Sequence, residues 1–490
     1  MERTSKLTAQ LAYIYLALPF AIFAIGWMRW YFAIPAVMLL LLGLFFAVKD
    51  APAIWQPEKS KKTLWTGALM LSVIFLMVYL SGIGRFAYQN PDHLWRNALY
   101  DALREYSWPV YEVNEAGNTV SLVYYIGFWL PSALVGKVLG ETAGYTFMAL
   151  WAVLGIAIFW SLVCSKMKKF TIWPLLLFFA FSGLDLAVHY FRDANMSAIG
   201  ATAHLEWGFE TFQFSSFTTQ LFWVFNQAIP AWILTMLILL QKNNRSIVFL
   251  LSLAMLNCTL PFVGMLPIAA LVVFTRKYEG ADTRKAWWKA WFKDTFTLPN
   301  ILCGGTVGIM SFMYVLSNSR SVDSGSKVSD GTFGFVWQSY DHYQEFLMSY
   351  LLFILCEALI YFFLIAKYQR CHKLFWVSGI TLAVVPLITM GIGYDFCMRV
   401  SIPALLILYL MVEETLVMAY NKKDYSILVP LCICLLIGAK TPLCEVTRSV
   451  SKTTIGHTWA GTFELMKSED DQNFVAEIED SFFYRYIAKK

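Results

Sequence analysis

The sequence predicts an all-α protein built as a polytopic transmembrane helix bundle. Of its residues, 58% are hydrophobic and only 14% are charged, whereas about a quarter are charged in soluble globular domains. The apolar residues are gathered in runs of about 20, the length that crosses a bilayer as a helix. These runs lack the alternation of barrel strands, and helices satisfy their own backbone in lipid. We therefore expect about 12–13 spans, since each span uses about 20 residues and a connection.

The apolar runs follow one another along the chain. In order they are 11–28, 31–48, 65–84, 120–140, 145–164, 173–191, 220–241, 298–317, 346–366, 374–391, 401–418 and 427–438. A further stretch, 247–275, is flanked by basic residues on both sides and interrupted by Pro and Gly. We expect it to be a hairpin of two short helices with its tip near Asn257. For the run 120–140, which contains Pro131, we expect a bent or re-entrant path that returns to its starting side.

The distribution of Lys and Arg predicts the orientation of the bundle. Basic connections occur at 59–62, 166–169, 242–245, 276–293, 367–373 and 422–423. By the positive-inside rule these connections are cytoplasmic. Residues 1–440 then form the bundle, and the loops 85–118, 192–219 and 318–345 face outward with a tail at 441–490.

Charge and cysteine usage favour contact with membrane lipids over contact with nucleic acid. The net charge of +5 is spread over short loops, where basic residues act as orientation signals and lipid contacts. The nine cysteines show no metal-binding spacing and are typical of small core residues. Residues 281–295 interleave Trp with Lys and Arg, which predicts a basic amphipathic helix in the inner interface.

The first outer loop carries the main candidate for catalysis. Asp92 and His93 open a segment whose apolar positions repeat at helical spacing, so we expect a helix on the membrane surface. A chain this hydrophobic has few places for a carboxylate without a compensating charge, and Asp92 lies where a span leaves the bilayer. Alternatively, Asp92 only caps the helix by accepting hydrogen bonds from its first amides.

Two further outer regions are rich in polar residues. Arg192, His204 and Glu206 precede a span that contains Gln227, and this density of polar groups on one side of a bundle indicates a cavity wall. Within the preceding apolar run, Asp185 needs a partner, and we expect His189 or Arg192 to supply it.

A third polar group lies between two later spans. Asp395 and Arg399 fall in a tight turn there, which places Arg399 near the outer ends of both helices. Alternatively, the two residues form an i,i+4 pair that only stabilises the turn.

Several short motifs resemble those of bacterial GT-C-fold membrane glycosyltransferases that make surface polysaccharides. They lie between residues 85 and 405 and read YQNPDHLWRN at 88–97, SWPV at 107–110, LVYY at 122–125, FSGLD at 181–185, HLEW at 204–207, FWVFNQ at 222–227 and MRVSIP at 398–403. The resemblance implies an enzyme that uses a polyprenyl-phosphate sugar as donor. It also implies a multi-pass protein of the bacterial inner membrane whose active site faces outward.

The resemblance assigns roles to the polar residues. Asp92 would be the general base of an inverting transfer to a glycan, lipid or protein acceptor. Arg192, Arg399 and His204 would bind the leaving phosphate, while His93, Glu206, Gln227 and Asp395 would contact donor or substrate. No cofactor is implied.

Two questions stay open from the sequence. The loops lack an Asp-x-Asp pair, which argues against a metal-dependent mechanism, yet a divalent cation held by Asp92, His93, His204 and Glu206 remains an alternative. The function also has alternatives, namely a polymerase or ligase of lipid-linked oligosaccharides and a transporter of polysaccharide lipids.

Overall fold

The computed structural model describes residues 3–114, 117–192, 200–209, 211–318, 333–390, 395–453 and 474–490, with only the backbone of 190–192. Helices account for 73% of it and strands for 5%, which confirms the all-α class.

The first half of the chain forms helices of very unequal length. They are α1 (Leu7–Trp27), α2 (Trp30–Lys49), α3 (Lys61–Leu80), α4 (Asp92–Glu105), α5 (Leu130–Leu139), α6 (Glu141–Met167), α7 (Ile172–Ala180), α8 (Asp185–Arg192), α9 (Phe217–Leu240), α10 (Ile247–Ser252), α11 (Ala254–Asn257) and α12 (Thr259–Phe274). A 3₁₀ turn, Ile126–Phe128, precedes α5, and another, Leu205–Gly208, precedes α9.

The second half continues the bundle, with two of its spans interrupted by π-helical turns. Its helices are α13 (Arg284–Thr295), α14 (Gly305–Leu316), α15 (Tyr343–Ile354), α16 (Ile360–Gln369), α17 (Lys373–Val384), α18 (Asp395–Val400), α19 (Ile402–Lys422), α20 (Tyr425–Gly438) and α21 (Lys440–Lys452). The π turns Pro299–Gly304 and Leu355–Leu359 lead into α14 and join α15 to α16.

The strands are short and form three small antiparallel sheets. They are β1 (Thr4–Ser5), β2 (Ile54–Trp55), β3 (Tyr111–Val113), β4 (Thr119–Leu122), β5 (Gly334–Phe335), β6 (Ile388–Thr389) and β7 (Val475–Glu477). β1 pairs with β2, β5 pairs with β6, and β4 lies between β3 and β7.

Within the described residues, ten helical segments are long and apolar enough to cross a membrane. A multi-pass membrane protein is therefore confirmed, whereas the GT-C type of the bundle stays a prediction. The expected count of 12–13 is higher because it includes runs that the structure builds as shorter apolar helices. These are Ile126–Leu139, Ile247–Asn257, Thr259–Phe274 and Lys373–Leu387.

The basic connections meet at one end of the bundle, which we call the basic end. Lys169 pairs with Glu413 at 3.3 Å, and Lys367 pairs with Asp424 at 2.5 Å. The side chain of Arg245 lies 3.8 Å from that of Asp50. Connections that are far apart in sequence therefore share one side, as the positive-inside pattern requires.

Both irregular segments return to the side on which they begin, as expected. Asn244, before α10, donates to the carbonyl of Val273, in α12, at 3.4 Å, so the stretch 247–275 returns to the basic end. At the opposite end, Arg85 after α3 contacts Glu141 at the start of α6 at 2.6 Å. The segment 120–140 between them therefore begins and ends on that side.

Residues 474–490 pack against the opposite end of the bundle. β7 pairs with β4, Lys489 donates its amide hydrogen to the carbonyl of Trp27 at 2.8 Å, and Arg29 Nε donates to the carbonyl of Ala488 at 2.9 Å. The predicted start of the tail, residue 441, falls inside the span Tyr425–Lys452. This segment thus contacts both the end of α1 and the first outer loop.

The two ends of the bundle should differ in access to reagents in water. Cys371 is exposed at the basic end, and Val113 in β3 is exposed at the opposite end. Because basic loops stay in the cytoplasm, a membrane-impermeant maleimide should label Cys371 in inverted vesicles and not in intact cells. In a Cys371→Ser background, Val113→Cys should show the reverse pattern. Labelling of Cys371 in intact cells would show that the orientation of the bundle is opposite to the predicted one.

Candidate functional site

The first outer loop places Asp92 at the start of α4, beside a buried arginine. Pro91 occupies the cap position without a side-chain hydrogen bond, and Asp92 is the first helical residue. Its carboxylate accepts a hydrogen bond from Arg96 Nη2 at 2.8 Å, and 45% of its side chain is exposed. Asp92 is thus held in position by Arg96 while one side of it remains open to solvent.

The turn between α17 and α19 carries a second pair with the same spacing. Arg399 Nη1 contacts Asp395 Oδ2 at 2.6 Å, in the i,i+4 arrangement expected from the sequence. Arg399 Nη1 also lies 3.4 Å from the hydroxyl of Tyr125. Arg399 is buried and Asp395 is partly exposed.

The two pairs are close enough to influence one another, and together we call them the Asp–Arg cluster. Burial raises the pKa of Asp395, Arg399 opposes that shift, and the negative charge of Asp92 adds to it. Burial opposes the charge on Arg399, but Asp395 raises the pKa of Arg399 above its usual range. Burial lowers the pKa of Arg96, which Asp92 opposes and Arg399 reinforces.

Each arginine of the Asp–Arg cluster has one buried N–H group without a hydrogen-bond acceptor among the described residues. Within the described part of the chain, Arg96 Nη1 and Arg399 Nε have no hydrogen-bond partner. A buried N–H on a charged group costs free energy when it is left without an acceptor. The cluster therefore has unused capacity to bind an anion, with a partly exposed carboxylate next to it.

Aromatic side chains form a wall beside the cluster. Trp95 stacks on Phe474, with ring centroids 6.2 Å apart, and Tyr124 lies 4.5 Å from Phe474. The guanidinium of Arg96 lies over Phe225, 5.5 Å from the ring centroid. Aromatic faces of this kind suit sugar rings and apolar chains. Phe474 comes from the segment after α21, so that segment contributes directly to the wall.

His93 points away from the cluster into the protein. Its Nε2 lies 3.0 Å from the carbonyl of Ser81, its Nδ1 lies 3.3 Å from Gln89 Nε2, and it is 1% exposed. Burial, followed by the charge of Arg96, lowers its pKa to about 3. His93 is neutral at physiological pH and links α4 to the end of α3, so we leave it out of the proposed site.

His204 belongs to a separate network. Its Nδ1 lies 2.6 Å from Glu445 Oε1, and Trp223 Nε1 donates to the other oxygen of Glu445 at 2.9 Å. Arg448 donates to both oxygens of Glu445. Glu445 and Arg448, both in α21, were not predicted from the sequence because nothing near them in the chain marks their partners.

The remaining predicted residues lie deeper or cannot be placed. Glu206 accepts hydrogen bonds from Gln213 Nε2 at 2.7 Å and from the Ser216 amide at 2.8 Å. Gln227 is fully buried in α9, and its amide group has no partner among the described residues. The side chain of Arg192 lies outside the described residues. None of the three is shown in contact with Asp92 or Arg399.

The buried acid Asp185 has partners other than those expected. Its Oδ2 accepts hydrogen bonds from Ser182 Oγ at 3.1 Å and from Thr441 Oγ1 at 2.7 Å. The expected partner His189 instead contacts the carbonyl of Leu205 at 2.9 Å. A hydroxyl from α21 replaces the predicted cation because α21 packs against α8 only in the folded bundle.

The four residues of the alternative cation site are not held together. Asp92 pairs with Arg96, His93 is enclosed behind it, and His204 and Glu206 lie in other networks. Among the residues that the structure describes, no group of three or more His, Cys, Asp or Glu is placed to hold a metal ion.

Comparison with known proteins finds no relative of this chain. No protein-family model, no curated protein and no solved structure matches it.

Glu206 should make the stability of the protein depend on pH. Burial, followed by the nearby charge of Asp185, raises its pKa from 4.5 to about 7. A raised carboxyl pKa means that the folded state binds the proton more tightly, so stability is greatest below pH 4.5 and falls as pH rises to about 7. The loss should be on the order of 1–3 kcal/mol.

Glu206→Gln should reduce this slope, by the part that Glu206 contributes, in thermal unfolding measured across that pH range. Among the described residues Gln213 Oε1 has no hydrogen-bond partner, so it can accept from the new amide after the Gln213 side chain flips, and the variant should fold. Glu105→Gln, at an exposed position, is the control and should keep the slope. An unchanged slope in Glu206→Gln would contradict the assignment.

Proposed function

We propose that this protein is an integral membrane glycosyltransferase that transfers a sugar from a polyprenyl-phosphate carrier to a glycan, lipid or protein acceptor. The reaction takes place at the end of the bundle opposite the basic end. The observation that carries the proposal is the partly exposed Asp92 beside Arg96 and Arg399, whose buried N–H groups have capacity for an anion. The resemblance of the surrounding motifs to GT-C glycosyltransferases supports it.

Asp92 acts as the general base in this proposal. Its carboxylate takes the proton of the acceptor hydroxyl while the acceptor oxygen bonds to the anomeric carbon of the sugar. The bond from that carbon to the phosphate oxygen breaks on the other face, which inverts the configuration. Arg96, hydrogen-bonded to Asp92 at 2.8 Å, orients the carboxylate toward the open side.

The arginines stabilise the leaving group. The bond-breaking step transfers negative charge to the polyprenyl phosphate, and fixed cationic donors lower the free energy of that charge. Arg399 Nε and Arg96 Nη1 are buried and already oriented, so they need little rearrangement to bind the phosphate. Trp95, Tyr124 and Phe474 offer aromatic faces to the sugar next to them.

Replacing Asp92 by Asn should abolish transfer while the fold persists. Loss of a general base typically costs about 10²- to 10⁴-fold in rate. Product formation is measured with the purified protein and a panel of synthetic polyprenyl-phosphate monosaccharides. Glu105→Gln, at an exposed carboxylate on the same helix, is the matched control and should keep full activity. Undiminished transfer by Asp92→Asn would reject Asp92 as the base.

Replacing Arg399 by Lys should slow turnover more than it weakens donor binding. Lysine keeps the charge but lacks the Nε donor and the planar geometry of guanidinium, and loss of one donor to a developing oxyanion costs about 10²- to 10³-fold in kcat. Arg104→Lys, at an arginine of α4 that is bonded to Asp101 and Glu105, is the control and should stay active. Equal kcat in both variants would remove Arg399 from the reaction.

The same assays separate the alternatives. A polymerase or ligase would accept only pyrophosphate-linked oligosaccharides, and mass spectrometry of the released carrier would show a pyrophosphate. A transporter would move a labelled lipid across liposomes without forming any covalent product. Either outcome would replace the present proposal.

A further inference from the structure

A buried carboxyl lies inside the bundle, away from the Asp–Arg cluster. Glu357 is near the middle of the 27-residue span Tyr343–Gln369 and is 2% exposed. It lies in the π turn Leu355–Leu359, a distortion that is frequent at functional sites. Within the described chain, neither oxygen of its carboxyl group has a hydrogen-bond partner.

A second carboxyl, that of Asp185, is adjacent to Glu357. Asp185 begins α8, after a break at 181–184 in a span that starts with α7. The break is joined to the π turn because the Leu184 amide donates to the carbonyl of Cys356 at 3.2 Å. The oxygens of Glu357 also lie against Gly183, where a Cβ would be only 1.8 Å from Oε2. The backbone therefore holds the two acids together.

The surroundings of Glu357 supply no positive charge within the described residues. Glu206 adds a third carboxyl to those of Glu357 and Asp185. The other titratable groups that face Glu357 are the thiols of Cys356 and Cys397 and the phenol of Tyr361. His189 and His204 lie near Asp185, where a protonated imidazole would favour the ionised carboxylate of Asp185.

Two adjacent ionised carboxylates cannot persist in this environment. Like charges at short range in a low dielectric repel strongly, and an unpaired ionised group inside a membrane protein is costly. One proton on the pair removes one charge. It also supplies an O–H donor to a group whose oxygens otherwise have no partner.

We propose that Glu357 and Asp185 form a proton-binding site in which the two carboxyl groups share one proton inside the membrane-spanning bundle. A hydronium ion of the aqueous solution releases the proton and becomes water, and the proton adds to one carboxylate oxygen. This site does not depend on the proposed sugar transfer.

A chain of buried polar groups offers the proton a route. Glu206 influences Asp185 electrostatically and accepts from Gln213 Nε2, which also donates to Ser215 Oγ at 2.8 Å. Gln213 Oε1 is buried and has no hydrogen-bond partner in the described part of the chain. The chain leads toward the loop before α9, at the end opposite the basic end. The proton should therefore exchange with the solution on that side.

Infrared spectroscopy of the full-length protein in lipid nanodiscs tests the proposal. At pH 7 the wild-type spectrum should contain the C=O stretch of a buried, protonated carboxyl group, and the difference from Glu357→Gln should isolate it. Glu413→Gln is the matched control, because Glu413 is equally buried in a span but pairs with Lys169 at 3.3 Å. Its spectrum should keep the band. If the spectrum of Glu357→Gln keeps the same C=O band, the proposal is overturned.

Carbodiimide labelling of the wild-type protein gives a second reading that needs no variant. The reagent adds to protonated carboxyl groups in apolar surroundings, so the peptide with Glu357 or Asp185 should be labelled at least about tenfold more than the peptide with Glu413, a ratio equivalent to one pKa unit. Labelling should fall as pH rises. Equal labelling of all three peptides would contradict the proposal. Protection by Na⁺ at constant pH would also overturn it, because the ligand would then be a metal cation.

Discussion

The cost of burying charge in a bilayer-spanning bundle determines where the polar chemistry of this protein lies. An ionised side chain in such surroundings needs a partner of opposite charge. Lys169 meets this need for Glu413 at the basic end, and Arg448 does so for Glu445 at the other. The Asp–Arg cluster follows the same rule with two pairs, so its net charge is close to zero although two of its members are deeply buried.

The cluster has two features that suit an anion-binding site. Asp92 keeps nearly half of its side chain accessible, and both arginines retain a buried donor without a described acceptor. In the proposed function, the phosphate of the sugar donor accepts hydrogen bonds from these groups. Pairing with Asp92 and Asp395 therefore offsets the free-energy cost of burying the two guanidinium groups. It also leaves one N–H group on each arginine that can bind a ligand.

Hydropathy and charge were sufficient to predict the class of fold. The spans and the common side of the basic loops follow from local composition, and parity predicts that 247–275 returns to its starting side. Only ten segments reach the length of a full span, fewer than the 12–13 expected, because apolar content does not distinguish a short helix such as α5 from a full span. A full span differs from a short helix in the number of residues that stay in regular helix. That number depends on how the segment packs against neighbouring helices.

The site could be predicted only in part. The i,i+4 pair of Asp395 with Arg399 was predicted, and Asp92 was predicted as a site residue. The pairing of Asp92 with Arg96 was missed although the two residues have the same spacing. The approach of the two pairs is a tertiary contact that local sequence does not reveal. His93 illustrates a second limit. Neighbouring residues on a helix point about 100° apart, so when Asp92 faces the open side His93 must face elsewhere. The sequence does not say which of the two faces inward.

The contacts between residues 474–490 and the first outer loop have a consequence for biogenesis. These residues leave the ribosome after every span of the described bundle has been made, yet they supply the third strand beside β4 and the ring that lies against Trp95 and Tyr124. Until these residues have been made, the aromatic wall beside the Asp–Arg cluster lacks Phe474 and the small sheet lacks β7. The protein therefore completes this aromatic wall late in synthesis, once residues 474–490 have folded back against the end of α1, the first helix to be made.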